Sequence, residues 1–185
     1  MSGRKDKILD AGLRLLATKG YSGLTHRAVD VEAGLPSGST TYYFRKKIPL
    51  VEAVASYLAT NMELDCAEVK LHFADLVAQD RKSDAIDFVA DDLLKFVNEK
   101  KDWLLARFEL VLVGAREPEL KPIADRLEEA SKQLTAFFLN LISTDLDEGQ
   151  IDACVGILDG LAFMHATGRG PPPTKSQITR LFMTV

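Results

Sequence analysis

Apolar residues recur at three- and four-residue spacing along nearly the whole chain, and no alternating run long enough for a strand stands out. Ile8, Leu9, Gly12, Leu15 and Leu16 share one face of a first helix from about Arg4 to Lys19, with Gly20 as its stop. Leu50, Val51, Val54, Leu58 and Met62 do the same for a long fourth helix that opens at Pro49 and reaches about Gln79. Ser83 and Asp102 suit the caps of helices over 84–98 and 103–117, the latter closed by Pro118. A seventh helix is expected over about Pro122 to Ile142. An eighth runs over about Glu148 to Thr167, where Asp147 and Gln150 stand at capping-box spacing. After the stiff break at 168–173, Thr174 and Gln177 cap a short ninth helix through Met183. The pattern predicts an all-α chain of about nine helices.

Helices two and three fall within LTHRAVDVEAGLPSGSTTYYFRKKIPL, residues 24–50. Thr25 suits an N-cap, and Ala28, Val29, Val31 and Ala33 give a short helix an apolar side. Gly34 supplies the left-handed conformation that ends it, and Pro36 keeps Leu35 from continuing it. Ser37 can then cap a second helix. Its outward groups are expected to be Ser37, Gly38, Ser39, Thr40 and Thr41, small enough to approach base edges closely. Tyr42, Tyr43, Lys46 and Lys47 have the reach for phosphate oxygens, which fix register without reading sequence. Phe44 anchors the helix from inside. Helix, glycine turn, polar helix and cations are the order of parts in a helix-turn-helix reader of duplex DNA.

Charge sharpens that picture. The net charge is −4, yet residues 1–50 hold nine Lys/Arg against four acids, a balance of +5 that leaves −9 on the remainder. A basic head on an acidic body suits a chain with one end against a polyanion. Hydrophobic content of 46% is ordinary for a globular protein. No apolar run approaches the roughly 20 residues that cross a bilayer, and the N-terminus leads straight into a polar helix, so the expected location is cytoplasmic. Cys66 and Cys154 are far apart, with no nearby thiol or metal-ligand spacing, which predicts buried, reduced thiols.

The run AGLPSGSTTYYFRKK, preceded by LTHRAVDVEA and an amphipathic first helix, resembles the N-terminal signature of the tetracycline-repressor (TetR) family, over about the first quarter of the chain. The resemblance implies an all-helical homodimer with a helix-turn-helix DNA-binding domain over 1–47 and a helical ligand-binding and dimerisation domain over 48–185. It would bind a palindromic double-stranded operator and be released by a small-molecule effector. By position, Arg27 is similar to a residue that reaches a guanine, Ser37, Gly38 and Thr40 to residues at the groove floor, and Thr25, Thr41, Tyr42, Tyr43 and Lys47 to phosphate contacts. Many relatives carry Lys and His where this chain has Ser37 and Tyr43, so the resemblance does not fix the operator sequence; two acids after the final Lys are replaced by Ile48 and Pro49, which fits a simple helix start or a stiffer hinge into helix four. The family pairs its last two long helices across the dimer. That maps the interface to Leu127, Leu134, Phe138 and Leu141 of helix seven and Gly156, Ile157, Gly160, Leu161 and Met164 of helix eight. Gly156 and Gly160, beside Ala153, leave a face of little bulk; such apolar faces also fit an intrachain core.

An effector site by default is apolar with a few polar groups, which predicts an apolar or amphipathic ligand. Phe88, Trp103 and Phe108 are the expected lining, with Glu109 as a polar contact. Phe73, Phe96, Phe137, His72, Arg107 and Arg116 are further candidates, and core packing or surface ion pairs would use all of these residues equally well. His26, His72 and His165 stand apart, and no metal-ligand, nucleophile or phosphate-loop pattern surrounds them, so no cofactor, metal or catalysis is expected. The alternatives are a repressor whose body only dimerises and, from another class, a small helical enzyme.

Overall fold

The computed structural model describes residues 3–143 and 145–184, and over these the chain is all α-helix, as the periodicity predicts. The helices are α1 (Arg4–Gly23), α2 (His26–Glu32), α3 (Ser39–Tyr43), α4 (Lys47–Ala78), α5 (Lys82–Glu99), α6 (Lys101–Gly114), α7 (Lys121–Ile142), α8 (Glu148–Ala166) and α9 (Lys175–Thr184). Side-chain caps set several starts. Asp147 Oδ1 accepts from the Gln150 N–H at 2.9 Å while Gln150 Oε1 accepts from the Asp147 N–H at 3.0 Å. Thr174 and Gln177 exchange the same kind of bonds, at 2.8 and 3.3 Å.

Two expected caps lie inside their helices instead. Asp80 adopts φ 61° and the Arg81 N–H returns to the Leu76 carbonyl at 3.0 Å, so α4 closes sharply and α5 begins before Ser83. Asp102 is in the first turn of α6, where a carboxylate faces the unpaired N–H groups of the helix end. Pro49 is likewise the third residue of α4, still in the turn that needs no intrahelical donor.

The chain divides into two compact units. One holds the chain up to Asn61 together with Asp102–Glu128; the other holds Met62–Lys101 and the chain from Glu129. In the first, Ile8, Leu13 and Leu16 of α1, Val29 of α2, Leu50, Val54 and Leu58 of α4 and Leu110 of α6 are buried. Gly12 lets α1 lie close on α4, since a Cβ there would stand 2.7 Å from a Val54 methyl. In the second unit, Val69, Phe73 and Leu76 of α4 share a core with Ile86 and Val89 of α5, Phe138 and Leu139 of α7, and Ile178 and Phe182 of α9. Phe73 and Phe138 meet edge to face, ring centroids 5.0 Å apart.

Cys154 is buried and Cys66 half-buried, and both are free thiols. Burial pushes each up to about 11, and the Asp92 and Asp65 carboxylates add to the effect on Cys66. Thiolate is the reactive form, so near pH 8 iodoacetamide should modify the native chain about a hundredfold more slowly than the chain in denaturant. Native and unfolded rates within tenfold of each other would contradict this. No helix among the described residues is long and apolar enough to cross a membrane.

Candidate nucleic-acid interface

Thr25 caps α2 as expected, its hydroxyl accepting from the Ala28 N–H at 3.2 Å. Gly34 takes φ 63°, and the Leu35 N–H closes the turn on the Asp30 carbonyl at 2.8 Å. The start of α3 is built differently from the expectation. Its N-cap is Gly38 rather than Ser37, at φ 89°, a backbone conformation that a residue with a Cβ enters only at a cost. With no side chain of its own to cap, α3 borrows one from α2. Asp30 Oδ2 accepts from the Gly38 N–H at 2.7 Å, and Asp30 Oδ1 accepts from the Thr40 N–H at 2.7 Å and the Thr40 hydroxyl at 2.6 Å.

Asp30 is only 3% exposed. Burial alone would raise its pKa, but the bonds from the Thr40 hydroxyl and from the Thr40 and Gly38 N–H groups outweigh it and hold the carboxyl below the ordinary range. A buried carboxylate therefore sets the angle between the two helices of the motif. This residue was missed by sequence reasoning, which counted it only as a charge. The same geometry corrects Thr40, which was expected at the groove floor: it is fully buried and its hydroxyl is spent on Asp30. Val31, expected on the inner side, is 75% exposed, because on so short a helix Val29 and Asp30 already occupy the inward positions.

The outward set is Thr25, Arg27, Ser37, Gly38, Thr41, Tyr42 and Tyr43, all exposed. Tyr42 is 83% exposed and meets Tyr43 edge to face at 5.2 Å. Ser39 turns back, its hydroxyl donating to the Pro36 carbonyl at 2.6 Å. Arg45 and Lys46 are exposed. Lys47, expected on a phosphate, is half-buried, with Nζ donating to the Tyr21 carbonyl at 2.6 Å. Phe44 is buried as the inner anchor, and His26 donates from Nε2 to the Phe44 carbonyl at 2.6 Å. That bond closes the C-terminal end of α3 as Asp30 closes its start.

The residues expected at a dimer interface separate into two groups. Leu127, Leu134 and Phe138 are buried within the chain's own cores, because α7 spends its apolar face inside the subunit, which leaves them no surface for a partner. Leu141 and Leu161 are half-buried. Gly156, Ile157, Gly160 and Met164 lie exposed on α8, and a Cβ built on either glycine meets nothing within 4 Å.

Of the candidate ligand contacts, Trp103 and Phe108 are half-buried on α6 in the first unit, whereas Phe88 belongs to the second, edge-on to His72 at 4.5 Å. Glu109, expected as the ligand's polar contact, accepts through Oε1 from the Tyr21 N–H at 2.6 Å. Arg107 is buried and grips Glu128 through Nε and Nη2 at 2.9 and 3.2 Å.

Residues 8–54 match the family model described as bacterial regulatory proteins, tetR family, and residues 80–185 match that of the tetracyclin repressor-like C-terminal domain. No curated protein sequence matches the chain. Among solved structures, a TetR-family member from Streptomyces coelicolor A3 is 26% identical, with a TM-score of 0.75 over 99% of this chain and 98% of that one. The multidrug binding protein EbrR complexed with malachite green is 26% identical, with a TM-score of 0.69 over 99% and 98%. Its complex with ethidium is 26% identical, with a TM-score of 0.62 over 98% and 96%. The C-terminal match alone spans more than half of the chain and the N-terminal match falls on the α2–α3 motif, so the chain belongs to the TetR family of bacterial transcriptional regulators.

Proposed function

We propose that two copies of this chain bind a near-palindromic duplex operator as a homodimer, and that a small molecule held by the helical body releases it. The observation that carries the reading is the surface around α3: Asp30 and His26 fix the helix from within while Ser37, Gly38, Thr41 and Tyr42 stand outward. Small groups at the helix start suit base edges in the major groove, and the Tyr42 and Tyr43 hydroxyls with Arg45 and Lys46 suit the flanking phosphates. A twofold pair sets two such helices roughly 34–36 Å apart, which requires a two-part site. The exposed stripe of Gly156, Ile157, Gly160 and Met164 is the proposed contact between subunits. Release requires that the effector bind better to a body whose heads are spaced for something other than the operator. EbrR, similar over nearly the whole chain, favours an effector of the kind it binds.

Selection of duplexes from a random pool tests the reading, followed by titration of the complex with ethidium and malachite green. Tyr42→Phe should weaken every duplex about five- to tenfold, the worth of one phosphate hydrogen bond. Arg27→Ala should in addition relax preference at one base pair per half-site by about 1–3 kcal/mol. A pool that yields no preferred two-part sequence contradicts DNA recognition, and equal losses on selected and random duplexes in both variants contradict the division of roles.

A further inference from the structure

The first helix does not end where its periodicity stops. At Gly20 the backbone turns to φ 66°, ψ −175°, and helix resumes through Gly23. That conformation belongs to glycine. A break of this kind frees the N–H groups of the resumed turn, which must find acceptors elsewhere. The acceptor for Tyr21 comes from α6, 88 residues away: the Glu109 carboxylate, at 2.6 Å. The approach is close, since a Cβ on Gly20 would stand 2.8 Å from the same oxygen.

The other side of Tyr21 is held as firmly. Its carbonyl accepts from Lys47 Nζ at 2.6 Å, and the same ammonium lies 3.8 Å from the centroid of the Tyr21 ring. Burial lowers the pKa of Lys47, and burial, with Glu117 and Glu119 nearby, raises that of the Tyr21 phenol. Lys47 opens α4 and follows the last residue of α3 by only four positions. Tyr21 thus ties a helix of the body to the junction between the recognition helix and α4, and all three residues lie in one compact unit.

We propose that Glu109 is a positioning residue for operator binding: through Tyr21 it holds Lys47, and with it the α3–α4 junction, in the placement that presents α3 to DNA. The proposal rests on the DNA-binding reading above. Glu109 touches no DNA in this scheme, so its removal acts through Tyr21 and Lys47 alone.

The test uses the full chain and a duplex recovered by the wild type from a random pool. Glu109→Gln keeps an oxygen of the same reach and should bind within about twofold of wild type. Glu109→Asp is one methylene short, and it and Glu109→Ala should lose affinity about tenfold, the worth of one hydrogen bond to a charged group. The Tyr21 amide should exchange hydrogen faster in the Asp and Ala variants and at the wild-type rate in the Gln variant, which a general loss of stability would not reproduce. Should the Ala variant fold poorly, the Asp and Gln pair decides. A preferred duplex that the Asp variant binds as tightly as wild type overturns the proposal and leaves the DNA-binding reading standing. A wild type that recovers no preferred duplex ends both.

Discussion

Asp30→Ala should abolish recognition of the selected duplex, with a loss of at least about a hundredfold, although Asp30 itself is buried. The carboxylate accepts three hydrogen bonds in a buried setting, and alanine leaves the Gly38 N–H, the Thr40 N–H and the Thr40 hydroxyl without an acceptor. The two Thr40 donors are buried, and each orphaned buried donor costs about 1–3 kcal/mol, so relaxation of α3 away from its place is the cheaper outcome. The helix is only five residues long and has no cap of its own, so it cannot persist alone. Asparagine should rescue in part: its oxygen replaces the acceptor for Thr40, but its NH2 group faces the Gly38 N–H, donor against donor. The pH dependence follows from the same contacts. A carboxyl held below its ordinary pKa contributes stability that is present above about pH 4 and lost as pH falls through the folded value. Duplex binding by the wild type should therefore fall on acidification where the Asn variant, lacking that group, shows no such component. Binding by Asp30→Ala within twofold of wild type would remove Asp30 from the account.

Why Asp30 escaped the sequence reading is a matter of helix length. Over the 20 residues of α1 and the 32 of α4, repeated apolar positions identify the buried side many times over. Over the seven residues of α2 there is no such repetition, and the pattern VDV reads as two valines inward and an acid outward, whereas the helix buries Val29 and Asp30 and exposes Val31. Thr40 escaped for the same reason on a shorter helix. Local chemistry was legible wherever both partners stand within a few residues, as in the Thr25 cap, the Gly34 turn and the Asp147–Gln150 and Thr174–Gln177 pairs. Contacts across 88 residues, such as Glu109 with Tyr21, leave no periodic trace. The apolar side of α7 was visible as well, but an amphipathic face says only that it is covered. Burial of Leu127, Leu134 and Phe138 shows that the covering is the subunit itself.

Gly160→Leu should convert the proposed dimer into monomers while leaving the subunit folded. Helix α8 is apolar on two sides. Ile151, Cys154, Ala162 and Ala166 are buried within the chain, while Ile157 and Met164 are 52% and 43% exposed beside Gly156 and Gly160. Inside one subunit the new side chain has room, because nothing lies within 4 Å of a Cβ at that position. Replacing a helical glycine even favours the helix, by about 0.8–1 kcal/mol for alanine and slightly less for leucine. Against a partner helix seated on the glycines, four added carbons overpack the contact at about 1–3 kcal/mol, and twofold symmetry applies the cost twice. The dimer dissociation constant should then rise at least about thirtyfold. Sedimentation across a concentration series measures this directly, and a paired half-site duplex should lose affinity in parallel while a single half-site does not. Gly160→Ala, which adds one carbon, should change association far less, so the two substitutions separate steric exclusion from loss of glycine itself. A leucine variant that associates as wild type does would place the subunit contact on some other face of the molecule.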